Sequence, residues 1–533
     1  MSGGDRGTGD DGRTDDPKTT DDERTTDGER TTDGARARSG ERANDDAGSR
    51  DRYLDRRRFL MASGALAGVG VLAGNVGGQE TTTEGGQQGG QETTTQGGQQ
   101  EPSLAEQYPG LRIISADPQN AEAASRSTYE SFITPREEHY IRNHYATPDI
   151  DEDEWTVSLT GMVDEEVELS MDEIKREYST ETVTHTMQCS GNGRAYFEPQ
   201  VGGNPWTFGA VGNTVWTGTP ISEILEEYGA NTDRNMWLSV MGGEAPEGED
   251  IFTRSIPMRK VMSDCLLAYE MNGAPMNDDH GFPVRLLVPG WFGNNNVKWV
   301  DRMHVMDQMV FGDEWERSDQ QLYTHWQQYS YRIIPAGEEA NTRPRVGVFD
   351  TQRQMDAQGI EQPFIYDQIV KSLIGYPTLD STVSTGPDGQ IEVIGVAWAG
   401  DDRVQRVEIS TDGGESWNDA EFFGPRQGPY SWRQFRYVWN ASPGEYTLYS
   451  RATDGKGRTQ PATVSTPDEG LRQIRDDKFP WNVDGYANTA YEPHGVNVTV
   501  QSDGGQTTEG GGGQTTTEGE QTTTEGTQTT TSS

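Results

Sequence analysis

The segment HTMQCSGNGRAYF, residues 185–197, concentrates the chemistry-bearing side chains of this sequence. It places Cys189, one of only two cysteines in 533 residues, at the head of a Ser-Gly-Asn-Gly loop with Arg194 just beyond it. A thiolate at a strand end in a glycine-containing loop is well placed to ligate a soft or oxophilic metal, or to act as a nucleophile. A nucleophile would also want a histidine base and an orienting carboxylate. None of the seven histidines sits in a recognisable protease or esterase motif. A buried structural cysteine is the third reading, and residue chemistry alone leaves all three open. Cys265, in the apolar run DCLLAYEM, reads as a small core residue. Two cysteines allow at most one disulfide; they make no Cys-rich zinc site, and no Cys-x-x-Cys-His haem attachment motif is present.

The elements that must position these residues show in the apolar pattern. ETVTHTMQC is β-branched and strand-like, and it delivers Cys189 to the loop at its end. WTVSLTG (155–161) alternates as a strand does. SMDEIKREY (170–178) predicts a short helix with Ser170 as N-cap and Glu173 completing a capping box. GTPISEILEEYGA (218–230) predicts a helix capped by Thr219, opened by Pro220 and stopped by Gly229. PVRLLVPG (283–290) reads as an apolar strand closed by Pro-Gly. From about residue 372 the chain becomes short alternating runs between Gly, Pro and Asp turns, the pattern of an all-β sandwich. Its STDGGESW turn resembles the Asp-box turns of sugar-active proteins, though a plain polar β-turn accounts for it.

Composition bounds the setting. Lys and Arg number 44 against 87 Asp and Glu, a formal net charge of −43. Such a charge makes the compact state repel itself, and concentrated salt relieves that penalty. A high-salt habitat is the expectation, and nucleic acid is excluded as a partner because a polyanion needs a basic face. Residues 1–51 hold almost no apolar side chains and read as a disordered acidic N-terminus. Residues 52–78 contain Arg56, Arg57 and Arg58 before a weakly apolar Ala/Gly/Leu/Val run, too short to span a membrane and similar to a twin-arginine export signal. Residues 79–103 form a Thr/Gly/Gln/Glu linker, and 501–533 repeat that vocabulary in a tail. The folded chain is expected to divide into 104–365 and 366–500.

The blocks YIRNHYATPDID (140–151), HTMQCSGNGR, LLAYEMNGAPMNDDHGFPVRLLVPGWFGNNNVKWV (266–300) and YSYRIIPA (329–336) resemble, in order and spacing, the sulfite oxidase family of molybdenum enzymes. The likeness covers roughly residues 104–500, and the QCSGNGRAYF region looks closest to prokaryotic sulfite dehydrogenases and sulfane dehydrogenase subunits. The resemblance implies an α+β molybdopterin-binding domain of sulfite oxidase fold, followed by an immunoglobulin-like dimerisation domain, with disordered termini. It implies one Mo-molybdopterin per chain, with Cys189 as the single protein ligand to molybdenum, and no haem in this chain. Arg142 and Arg194 would face the substrate anion, Trp206 would line the same pocket, and Tyr331 would hydrogen-bond near the reacting oxygen. Tyr140, Asn143, His144, His280, Arg285, Asn296, Val297 and Lys298 fall where the family holds the pterin and its phosphate. The family's activity would be oxidation of sulfite to sulfate, with electrons passed to a separate haem or copper protein, in an exported homodimer. Related chemistry on nitrate, a sulfoxide or another sulfur compound is the alternative within enzymes. A non-catalytic cell-surface binding protein is the alternative outside them. One departure stands out: sulfite oxidases of higher organisms carry a further arginine in a C-terminal Ala-Trp-His-Arg segment, where this chain has Ala490-Tyr491-Glu492-Pro493.

Overall fold

The computed structural model describes residues 102–197, 200–310, 326–332, 364–400, 402–462, 482 and 484–502. The expected acidic N-terminus, export signal, nearly all of the linker and the tail beyond 502 lie outside these. Among the described residues no helix is long and apolar enough to cross a membrane.

Three sheets build the first part. A small antiparallel sheet joins β1 (Leu111–Ala116), β2 (Gln119–Ala123) and β3 (Ile141–Arg142). A second sheet runs β11 (Ala274–Pro275), β10 (Leu266–Met271), β7 (Val211–Pro220), β6 (Glu181–Gln188), with β12 (Arg285–Leu287) also paired to β10. A third runs β5 (Val167–Ser170), β4 (Thr156–Gly161), β13 (Val300–Met306), β8 (Trp237–Gly242), β9 (Thr253–Pro257), with β4 and β13 parallel. The short helices Met171–Arg176, Ile221–Glu227 and Met258–Asp264 pack their apolar residues into one core with these strands. Burying such side chains supplies the main driving force for the fold.

Local expectations hold at Ser170, whose hydroxyl accepts from Glu173 N–H at 3.3 Å while the Glu173 carboxylate accepts from Ser170 N–H at 2.8 Å. They fail at Thr219. It lies within β7 rather than capping the next helix, whose N-cap is Pro220, and its hydroxyl donates to Ile174 O at 2.6 Å. Strand pairing with β10 claimed the backbone there, and the buried hydroxyl found an acceptor on a neighbouring helix. PVRLLVPG yields only the three-residue strand β12.

The second part is a sandwich of two sheets: β14 (Lys371–Tyr376), β16 (Gln390–Trp398), β20 (Arg433–Asn440), β19 (Glu421–Phe423), and β15 (Ser381–Ser384), β22 (Val496–Gln501), β21 (Gly444–Asp454), β17 (Val404–Ser410), β18 (Asn418–Asp419). Alternate residues of these strands form its core, among them Val393, Val407, Ile409, Phe435 and Leu448. Among the contacts that tie it to the first part near Cys189, Trp398 Nε1–H donates to Gln188 Oε1 at 2.9 Å, and Gln368 Nε2–H to Thr186 O at 2.6 Å.

Candidate active site

β6 ends at Gln188, and its partner β7 begins beside it. Cys189 N–H donates to Ala210 O at 2.9 Å, and Asn192 N–H closes a turn onto Cys189 O at 3.0 Å. Gly193, at φ +95°, turns the chain into a 3-10 turn over Arg194–Tyr196. A cavity of about 430 Å³ opens at this loop.

All the sequence-derived site residues except Asn143 and Val297 line this one cavity: Cys189, Arg142, Arg194, Trp206, Tyr331, Tyr140, His144, His280, Arg285, Asn296 and Lys298. Val297 is a core side chain, with its carbonyl accepting from Leu286 N–H. Asn143 stands behind the wall, where its Oδ1 accepts from Lys298 Nζ and its Nδ2 donates to Thr147 Oγ1 at 2.7 Å. Tyr331 follows the short helix Trp326–Tyr329 in a bend.

Polar groups inside the cavity wall are under-satisfied. His139 Nε2, His280 Nδ1, Arg285 Nε and Arg194 Nε are buried without a partner in the protein. Arg285 donates to His280 O at 2.8 Å and Asn296 O at 3.0 Å, and Lys298 to Asp279 O at 2.8 Å. Burial pushes Arg285 down to about 10 and Lys298 well below its ordinary value, with the two cations adding repulsion at Lys298. An anion between them would relieve that cost. Burial also holds His280 down at about 3 and, with Arg142 and Arg254 nearby, His144 at about 4, so both rings are neutral donor–acceptors near neutral pH. Burial raises the Cys189 thiol above its usual range, while Arg142 and Arg194 pull it down.

Glycines make room for this arrangement. A Cβ on Gly293 would lie 2.3 Å from the Tyr140 hydroxyl. One on Gly203, at φ +82°, would lie 2.2 Å from Arg194 Nη1.

Sequence reasoning passed over other wall residues. His139 stacks on Tyr140 at 4.9 Å and adjoins the YIRNH block, so its position was a usable signal. Glu244, whose carboxyl burial lifts to about 7, and Trp326 had none. From the C-terminal region the cavity takes Asp484 and Tyr486, and nothing from Ala490–Pro493. There Tyr491 packs instead on Trp417 at 5.1 Å.

The donor set fits a molybdenum–pterin group. Among the described residues no three His, Cys, Asp or Glu side chains converge to hold a metal, and Cys189 is the one thiol in the cavity. A metal held by a single thiolate takes its remaining ligands from a non-protein group. The orphaned nitrogens of His139, His280 and Arg285, with the Arg285–Lys298 cation pair, suit a polar heterocycle carrying a phosphate.

Comparison with known proteins agrees. Residues 144–314 match the oxidoreductase molybdopterin binding domain, and residues 362–501 the Mo-co oxidoreductase dimerisation domain. The chain is 31% identical over 409 residues to mitochondrial sulfite oxidase of Rattus norvegicus, covering 74% of this chain and 66% of that protein. It is 28% identical to nitrate reductase [NADH] 2 of Phaseolus vulgaris, over 73% of this chain and 42% of that protein. The crystal structure of the sulfane dehydrogenase SoxCD from Paracoccus pantotrophus superposes with a TM-score of 0.56 at 25% identity, covering 75% of this chain and 92% of that one. The chain thus spans just under two thirds of the length of the rat relative. Fold and cavity together define a molybdopterin oxidoreductase with a dimerisation domain. Within that class, the chain belongs to the sulfite oxidase family.

Proposed function

We propose that this protein is an exported homodimeric molybdenum oxidoreductase that oxidises sulfite to sulfate and passes the electrons to a separate carrier. The observation that carries the reading is the meeting of Cys189, Arg142 and Arg194 on one cavity with unpartnered buried polar groups. Bound there, the molybdenum–pterin group would supply two-electron oxygen-transfer chemistry, with Cys189 as its protein ligand and Tyr140, His139, His280, Arg285 and Lys298 as its cradle. The chain's own part is binding and orientation. Two guanidiniums match the charge of a small dianion and donate in pairs to its oxygens. Tyr331 adds a phenol at the same wall, and the almost fully buried Trp206 excludes water beside Cys189. At long range a chain of charge −43 repels sulfite, so capture depends on salt screening and on this local pair of arginines.

The likeness to a nitrate reductase supports a second reading, reduction of nitrate at the same centre. One experiment tests both. The protein is exported in a host that makes the cofactor and purified in concentrated salt beside Cys189→Ser. Stoichiometric molybdenum in the wild type, lost in the variant, with sulfite-dependent reduction of ferricyanide, is the expected result. Stoichiometric molybdenum with nitrate reduction and no sulfite oxidation moves the assignment to the second reading. Wild-type protein without molybdenum overturns both and leaves a non-catalytic binding module.

A further inference from the structure

The C-terminal segment of the chain reaches back into the cavity. Ala487 N–H donates to Ser190 O at 2.8 Å, and Asn488 Nδ2–H to Gly193 O at 2.9 Å, so this segment is bonded to the loop that carries Cys189. Just before it, Tyr486 lines the cavity. Its ring stacks on Tyr331 with centroids 4.5 Å apart and planes 24° from parallel. The Arg194 guanidinium carbon lies 4.4 Å from the Tyr486 centroid, and that of Arg254 lies 5.2 Å from the Tyr331 centroid. The four side chains form a column, cation–ring–ring–cation. Arg194 and both phenols face the cavity. Arg254 is fully buried behind it, donating to Asn294 O at 2.8 Å and Thr253 O at 2.6 Å.

The column gives Tyr486 a role. Its ring is the face on which the Arg194 guanidinium rests, and with Tyr331 it lines the cavity. A guanidinium only donates, and a neutral phenol adds an O–H that can donate to a ligand oxygen. A ligand that only accepts, as an oxyanion does, suits guanidinium and phenol together.

We propose that Tyr486 is a specificity-determining residue of the anion pocket: its ring holds the Arg194 guanidinium in place, and beside Tyr331 it offers a neutral O–H to an oxyanion oxygen. The pair adds a donor without adding charge, so charge matching stays with Arg142 and Arg194. The proposal rests on the oxyanion reading above.

The test is a double-mutant cycle on molybdenum-loaded protein with Tyr486→Phe, Tyr331→Phe and the double variant. Sodium sulfate, an unreactive oxyanion, is titrated calorimetrically in chloride buffer, and sulfite KM and kcat are measured beside it. The expected result for Tyr486→Phe is sulfate affinity weaker and sulfite KM higher by about tenfold, as for loss of a hydrogen bond to a charged group, with kcat within about threefold and molybdenum content unchanged. Because the two rings are stacked and line one pocket, the double variant should lose less than the product of the single losses. Tyr486→His, which keeps a ring and a donor, should recover part of the affinity. Sulfate affinity and KM within about twofold of wild type in Tyr486→Phe, or single losses that simply multiply, would overturn the assignment. If wild type binds sulfate but does not turn over sulfite, the substrate reading fails and the sulfate affinities alone decide the role of Tyr486. If wild type binds no oxyanion, both fail.

Discussion

At the residue scale the site is a cavity lined by four basic side chains and several unpartnered buried polar groups. Arg142, Arg194, Arg285 and Lys298 all line it, and several of their neighbours' nitrogens stay unpartnered. Replacing Arg142 or Arg194 with lysine keeps the charge and removes the planar fork. Steady-state assays should then show kcat/KM for sulfite down by about 10²–10³, in line with losing one preorganised donor. Loss below about threefold would mean that the arginine does not meet the substrate. Most of the wall was legible because its residues fall in a few short blocks, and a block such as YIRNH or GNNNVKW carries its side chains to the cavity together. Val297 and Asn143 show the limit of that reasoning. In an extended stretch neighbours point to opposite faces, so a block marks a location and not each side chain's direction. Tyr486 was illegible for a different reason. Its role comes from a stack on Tyr331 and the Arg194 guanidinium over its ring, residues far from it in sequence.

At the element scale, two small features aim the chemistry. The helix Trp326–Tyr329 is fixed to β9 through Gln327, whose Oε1 accepts from Ser255 N–H at 2.9 Å and whose Nε2 donates to Ser255 O at 2.8 Å. Gln327→Leu leaves both backbone groups buried and unpaired, at a cost of about 1–3 kcal/mol each. It also loosens the bend that presents Tyr331. A lower Tm with reduced kcat is expected, and an unchanged kcat would show that Tyr331 is held by other means. The second feature is Gly203. Alanine there meets both the left-handed backbone and Arg194 Nη1. Gly203→Ala should raise sulfite KM several-fold at unchanged molybdenum content; an unchanged KM would mean that Arg194 has room to retreat. Helices were readable from caps, as at Ser170, while Thr219 misled because a side chain suited to capping was drawn into a strand by pairing that spans some fifty residues.

At the scale of the whole molecule, charge and pH set stability. Raising salt from about 0.1 M to 1 M shortens the Debye length from about 10 Å to 3 Å, and for a chain of charge −43 the Tm should rise steeply across that range. A flat Tm would place the charge where it does not oppose folding. Burial holds His185 and His280 at about 3, and His139 and His494 lower than their ordinary value. Unfolded, these rings bind protons below about pH 6.5, while the folded chain leaves them neutral. Stability is therefore full above that pH and falls as pH drops from there toward 3, by about 1.4 kcal/mol per pH unit for each proton taken up. Melting curves at constant high salt between pH 7 and 5 would show this, and His185→Asn should flatten the slope; an unchanged slope would mean that His185 is not buried neutral. The domain order was legible in the sequence because strand texture changes near residue 372. That the last strands' flank completes the first domain's cavity was not. Asn488 reaches Gly193 across 295 positions of chain. Closing so long a loop is entropically costly and slow, so during synthesis the Cys189 loop emerges and waits. The wall gains Asp484 and Tyr486 only after nearly 300 further residues have been made, so a nascent chain stopped short of them would hold Cys189 in an incomplete cavity.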